Sequence, residues 1–316
     1  MAVLERNGGA VTVRSVDRLQ SLSSCRTNVR SREVGMLEDV VGRTYGPVEV
    51  PISIDRVAAF LAATSDDPQR WTQYAPPSFA GALLFAIAPS FLGDVDVAPR
   101  ASMVIHGEQT FSWLQPFEVG TIARVRGTLE RVRERGGVAF ANFAMTVEAS
   151  GARVLDAGST FLMSGGTPPG GNSGVRAEPD PWSRGTCERP VALDDASDGP
   201  IPPLLKSASR ADLVKYAGAS RDFNPIHWDH TLAAAAGFGG VVAHGLLVAA
   251  WATQAATQIN SGVRPLASGR IRFRNPLYPA EQADVTGDRD GDRVTVTVRS
   301  TGVEHVIAQF DLADGE

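Results

Sequence analysis

The sequence predicts an α+β protein built twice over: two units of similar size, each a single buried helix with an antiparallel sheet curled around it. Three observations carry that expectation. Residues 165–198 are rich in Gly, Pro and Ser and lack a periodic apolar pattern, which is the composition of a linker near the middle of the chain. Each half contains one helix that is apolar around most of its circumference and therefore has to be buried on nearly all sides. Each half then closes with short alternating runs separated by Gly-containing turns, the pattern of an antiparallel sheet.

Taken in chain order, residues 1–36 carry several Arg and Ser without the apolar core of a secretory signal and read as a flexible N-terminal tail. The first unit spans 37–165. In it Ile54, Val57, Ala58, Phe60 and Leu61 recur at helical spacing and run into the polar loop Thr64-Ser65-Asp66-Asp67-Pro68; the two adjacent acids before a proline read as a turn. An apolar helix follows over 79–87, then strands over 103–113, 121–132, 138–147 and 154–163. Beyond the linker, 166–198, the second unit spans 199–316 and repeats the order. Leu213, Val214, Tyr216 and Ala217 mark its first helix, 246–259 its apolar helix, and 270–273, 282–287, 293–298 and 305–312 its strands. Gly136-Gly137 and Asp290-Gly291 supply hairpin turns. Gln115-Pro116-Phe117 in one half answers to Asn275-Pro276-Leu277 in the other. A helix with no polar face is buried most simply by a sheet wrapped around it. That architecture is a hotdog, and two copies in one chain pack as an intrachain pseudo-dimer, with a homodimer of the whole chain as a further possibility.

Composition narrows the function classes. The 316 residues are 43% hydrophobic and 21% charged, with a net charge of −5, which argues against a nucleic-acid or anionic-lipid surface. Cys25 and Cys187 are the only cysteines and both fall in polar stretches, so no disulfide framework or cysteine-rich metal site is expected and a reducing cytoplasm fits. No apolar run reaches the ~20 residues of a membrane span. No HExxH, CxxC, phosphate loop or dinucleotide GxGxxG stands in a convincing setting, so no metal, nucleotide or flavin is expected.

The most informative stretch runs from Tyr216 to Leu247, YAGASRDFNPIHWDHTLAAAAGFGGVVAHGLL. Asp222 and His227 are five apart, and Asn224-Pro225 between them is turn chemistry, since Pro fixes its own backbone and pushes Asn224 out of the helical region. A loop folded back there can bring a carboxylate and an imidazole within one water of each other. Adding water across the double bond of an unsaturated thioester needs a base for the water, an acid for the α-carbon and donors for the enolate oxygen. The stretch resembles the hydratase signature of the MaoC-like family, the (R)-specific enoyl thioester hydratases and dehydratases. The resemblance rests on Tyr216, Gly218, Asp222, Asn224, Pro225, Ile226 and His227, extends through Ala235, Gly237, Phe238 and Ala243-His244-Gly245, and continues over Arg272 to Pro279.

The resemblance implies that Asp222 and His227 form the catalytic pair, that Asn224 orients the loop or the water, and that the thioester carbonyl binds at Gly245. A helix opening there would offer unpaired N–H groups and a positive dipole end; alternatively, Gly245 only permits close packing. It implies an acyl-CoA or acyl-carrier-protein thioester as partner, with coenzyme A or pantetheine belonging to the substrate and no other cofactor. Arg221 departs from the pattern, standing where many relatives have Gly; beside the carboxylate it would lower basicity or reach a substrate phosphate. Tyr216 is a further candidate contact. Arg270, Arg272 and Arg274 alternate along a strand and project to one face, either a solvated surface or a grip on phosphate. His244 reads as a packed or capping neighbour and His230 as a solvated loop residue. The first half offers Trp71, Thr72 and Gln73 where a His would be needed, and the resemblance implies that it has become a shell around the acyl tunnel. A hotdog thioesterase and a non-catalytic acyl-thioester-binding subunit are the competing readings.

Overall fold

The computed structural model describes residues 37–165, 174–180, 187–193 and 197–314; the expected tail over 1–36 and parts of the linker lie outside them. In the first half β1 (Thr44–Pro51) leads into α1 (Ile54–Thr64), α2 (Ala80–Leu92), β2 (Met103–Trp113), β3 (Ile122–Arg135), β4 (Val138–Ala149) and β5 (Ala152–Ser164). The second half comprises β6 (Leu204–Lys206), α3 (Arg210–Ser220), α4 (His230–Ala235), α5 (Gly245–Thr257), β7 (Leu266–Phe273), β8 (Ala283–Asp290), β9 (Arg293–Ser300) and β10 (Val303–Leu312).

The strand order is β1-β3-β4-β5-β2 in the first half and β6-β8-β9-β10-β7 in the second. β2 and β7 pair antiparallel, from Ser112 opposite Ser268 to Glu108 opposite Arg272, which fuses the halves into one sheet. The described residues make one compact unit. This is a double hotdog. Its burial follows from the sequence: α5 is buried at every residue from Leu246 to Thr257, and the sheet faces it with alternating positions such as Val294, Val296 and Val298. Each strand turns one row of apolar side chains inward and leaves the other row to solvent. Gly136 and Gly137 both have positive φ, as the two-residue hairpin between β3 and β4 demands.

The duplication is closest at α1 and α3, where residue i of the first half answers to residue i + 156 of the second. Ser53 and Ser209 are the N-caps, each accepting a backbone N–H three residues on. Thr64 and Ser220 close the helices, each hydroxyl donating to the carbonyl four residues back. Ser65 and Arg221 then take the left-handed conformation, at φ 53° and 69°.

The sequence pattern misses β1 because Gly46-Pro47 interrupts it; the strand tolerates that pair by lying at the sheet edge, with its register shifted between Tyr45 and Val48, where a proline costs no ladder bond. α2 also runs past the expected end at 87, through Pro89 to Leu92. The described parts of the linker are docked. Glu188 and Leu205 exchange bonds at 2.9 and 2.7 Å, and the Leu193 N–H donates to the Gln258 carbonyl at 2.6 Å. Proteolytic cleavage within 166–198 should therefore leave two fragments that co-elute on size exclusion, since the β2–β7 ladder still joins them; separation into stable monomers would contradict the fused sheet.

Candidate active site

The site starts from the end of α3. Ser209 and Asp212 form a reciprocal capping box at its start, which fixes the helix register. At its end the left-handed Arg221 turns the chain, its N–H donating to the Ala217 carbonyl at 2.9 Å. A residue with a Cβ pays ~1 kcal/mol or more for that conformation. The same turn throws the Arg221 side chain into solvent and buries Asp222. The expectation of a cation lowering the basicity of Asp222 is thereby corrected: the neighbours that act on the carboxyl are His227 and the Asn224 N–H, and Arg221 faces Arg56 instead.

Asn224 accepts the Ile226 N–H on its side chain at 3.3 Å and donates its own N–H to Asp222 Oδ1 at 3.3 Å. It thus orients the loop. Pro225–His227 make one 3-10 turn, and His227 returns to face Asp222, with Nε2 to Oδ2 at 3.8 Å. His227 Nδ1 lies 2.9 Å from the Val242 carbonyl. A carbonyl only accepts, so Nδ1 carries the hydrogen and Nε2 keeps its lone pair. The gap of 3.8 Å is too wide for a direct hydrogen bond and leaves both atoms within reach of a single shared water molecule. Burial pushes the Asp222 carboxyl up and the His227 imidazole down. Desolvation thus disfavours separated charge on either partner and favours one proton shared by the pair.

His244 is the N-cap of α5 and stacks on His227, ring centroids 3.8 Å apart and planes 26° apart. Its Nε2 donates to the Asp222 backbone carbonyl at 3.2 Å, and the Tyr216 ring lies tilted against His244 at 4.9 Å. The role of packed, capping neighbour is therefore observed, with the added feature that one imidazole braces the other. Asp222, His227 and His244 present ligand atoms within 4.8 Å of one another.

Gly245 opens α5, and a Cβ there would meet the Phe273 ring at 3.2 Å, so the packing requirement on this glycine is met. In the first turn of α5 the N–H groups of Leu247 and Val248 donate to the His244 carbonyl at 3.0 and 3.2 Å, which leaves those of Gly245 and Leu246 without an acceptor one turn back. Tyr216, Asp222, Asn224, His227 and Gly245 are thus brought together. The three strand arginines are not. Arg270 and Arg272 share Glu108 of β2, at 2.9 and 3.1 Å, and with Arg274 stand exposed while Ile271 between them is buried. They line the outer face of the sheet.

At the equivalent positions of the first half, Phe60, Asp66 and Trp71 answer to Tyr216, Asp222 and His227. Trp71 Nε1 donates to Asp66 Oδ1 at 3.3 Å. The two acids behave differently, which corrects the reading of both as a turn. Asp67 accepts the Gln69 N–H as a turn residue does, but Asp66 is buried at 3% exposure, and burial pushes its carboxyl up to about 6. The fully buried Lys206 donates to the Ser65 carbonyl at 3.2 Å beside it. A carboxyl is retained, without an imidazole.

Residues 190–308 match the MaoC-like domain, a span that holds the whole Asp222–His227 constellation. The second half is a MaoC-like domain. It is 26% identical over 273 residues, 86% of this chain and 90% of the other, to a 3-hydroxyacyl-thioester dehydratase of Mycobacterium tuberculosis. It is 29% identical over 112 residues, 35% of this chain and 70% of the other, to an (R)-specific enoyl-CoA hydratase of Rhodospirillum rubrum. A solved structure described as a MaoC-like dehydratase superposes with a TM-score of 0.72 at 21% identity, covering 88% of this chain and 99% of that one. The fold likeness to that MaoC-like protein therefore includes the first half, where the family match is silent. Among the described residues no helix is long and apolar enough to cross a membrane.

Proposed function

We propose that the second half, residues 199–316, catalyses reversible hydration of an α,β-unsaturated acyl thioester to the (R)-3-hydroxyacyl thioester, with the first half, residues 37–165, forming the wall around the acyl group. The observation that carries this is the Asp222–His227 gap of 3.8 Å with the His227 tautomer fixed by Val242. A water in that gap gives its proton to one member of the pair as its oxygen adds to the β-carbon. The π electrons move toward the thioester oxygen, and the other member delivers the pair's proton to the α-carbon. Proton exchange within the pair restores the start. Both new bonds form on the face of the substrate turned to the pair, so the addition is syn.

The developing enolate oxygen needs donors already in place, and the N-terminus of α5 at Gly245 supplies backbone N–H groups and the positive end of a helix dipole. Tyr216 and Asn224 shape the site. The reaction draws only on these groups; coenzyme A or a carrier-protein pantetheine arrives as part of the substrate, with Arg221 exposed at the end of α3 as a cation for its phosphates. Incubation with an enoyl-CoA tests the reading. Loss of conjugation without release of free thiol is the expected result. Thiol release would identify a thioesterase, and binding of a saturated acyl-CoA with no turnover of any enoyl substrate of graded bulk would identify a binding subunit.

A further inference from the structure

The carbonyl that fixes His227 belongs to an intrinsically loose segment. Residues 236–243 connect α4 to α5 and contain Gly237, Gly239 and Gly240, all at positive φ, 90°, 77° and 158°. Glycine at such positions leaves a chain with more freedom to lose than any other residue, so the placement of the Val242 carbonyl has to come from outside the segment. Four grips supply it. The Tyr278 hydroxyl donates to the Phe238 carbonyl at 2.5 Å, the Ala243 N–H to the Leu277 carbonyl at 2.8 Å, and the Val242 N–H to the Ile226 carbonyl at 3.1 Å. The fourth comes from residues 174–180, a part of the stretch that composition reads as linker.

Within that strap Arg176 does most of the holding. Its N–H donates to the Gly239 carbonyl at 2.8 Å. Its own carbonyl accepts from His230 Nε2 at 3.1 Å, which leaves His230 Nδ1 free to accept the Val241 N–H at 3.4 Å. His230 is therefore a bridge with a defined tautomer rather than a solvated loop residue, and a Cβ at Gly240 would strike its ring at 2.4 Å. The Arg176 guanidinium lies 3.6 Å over the Tyr278 ring and 2.7 Å from Glu281, so the strap is clamped by a cation–π contact and an ion pair on the turn that holds Phe238. Glu178 adds an ion pair to Arg210, whose guanidinium also reaches the Trp228 carbonyl next to His227.

We propose that the 174–180 strap is a positioning element for the catalytic histidine: through Arg176 and His230 it holds the glycine-rich segment whose Val242 carbonyl orients the His227 ring. The inference rests on the proposed function only in taking His227 as a reacting group. Misplacing a catalytic group by about 1 Å can cost ~10²-fold in rate, whereas substrate affinity has no reason to change as much. The groups facing His227 are Asp222, the stacked His244 and the Val242 carbonyl, with Tyr216 behind His244. Of these only the carbonyl answers to the strap, and its bond favours the imidazolium.

The test compares the wild-type chain with Arg176→Ala, Arg176→Lys and a variant in which 174–180 is replaced by Gly and Ser at equal length. Steady-state enoyl-CoA hydration is measured, together with the His227 titration by NMR. The expected result is a fall of about tenfold or more in kcat with KM within about threefold for the replaced strap and Arg176→Ala. It comes with His227 titrating at lower pH, and Arg176→Lys recovers most of both, since it keeps a cation over the ring. Circular dichroism confirms folding. An unchanged kcat and His227 titration in the folded replacement variant would overturn the proposal, and so would a fall in kcat with the titration unmoved, which is the mark of a merely structural tether. If the wild-type chain hydrates no enoyl thioester, the hydratase reading fails by itself. The NMR titration then decides the strap alone, and an unmoved value refutes it.

Discussion

Asp222→Asn and His227→Gln are each expected to lower the rate of enoyl-CoA hydration by at least the ~10²-fold that a general acid–base group supplies. Both keep the shape of the side chain and remove its capacity to take up or release a proton. In the proposed mechanism one water serves both groups across the 3.8 Å between Nε2 and Oδ2, so the double variant should be little worse than the worse single one, as for residues that act as a unit. Asp66→Asn and Asp67→Asn should change turnover little, since Trp71 rather than an imidazole faces Asp66. Stability separates chemistry from unfolding here. Burial raises the Asp222 carboxyl, so at neutral pH the charged form is one the folded state disfavours, and Asp222→Asn should unfold no earlier than the parent. Near wild-type turnover in Asp222→Asn, or collapse in a folded Asp66→Asn, would mean that the chemistry has been assigned to the wrong half.

Much of this was legible because the chemistry is local in sequence. Asp222, Asn224, Pro225 and His227 lie within six residues, and their turn chemistry needs no tertiary information to be recognised. The buried helices were equally visible, since α5 has no polar face to present to water. What the sequence hides is what the fold brings from afar. His244 reaches Asp222 across 22 positions, and its stack on His227 depends on where α5 begins. Arg176 sits in a segment whose Gly and Pro content resembles a free linker, and only the Tyr278 ring and Glu281 beneath it reveal a clamp. The burial of Asp66 was masked by Asp67 and Pro68, which do form an exposed turn one residue later. Lys206 is 141 positions from Ser65, so nothing local announces that a lysine is buried beside the retained carboxyl.

That retained carboxyl should make the pH dependence of stability run against the usual direction. Asp66 moves from an ordinary 3.8 to about 6 because burial outweighs the Asp67 N–H, Lys206 and Trp71, all of which favour the anion. The folded state therefore holds this proton to higher pH than the unfolded chain does. The contribution is complete below pH 3.8 and is lost as pH rises through about 6, a change of about 3 kcal/mol at 1.36 kcal/mol per pH unit. An asparagine at this position would keep the shape and have no proton to lose. Relative to the parent, Asp66→Asn should thus gain about 2 kcal/mol between about pH 4 and pH 7, read by urea unfolding of both proteins at the two pH values. The parent's other carboxylates cancel in the difference. A stability difference that stays flat, or that turns against Asp66→Asn as pH rises, would mean that Lys206 holds Asp66 as an ion pair. The first half would then have kept its carboxylate for the charge, and desolvation would not be what governs the old site.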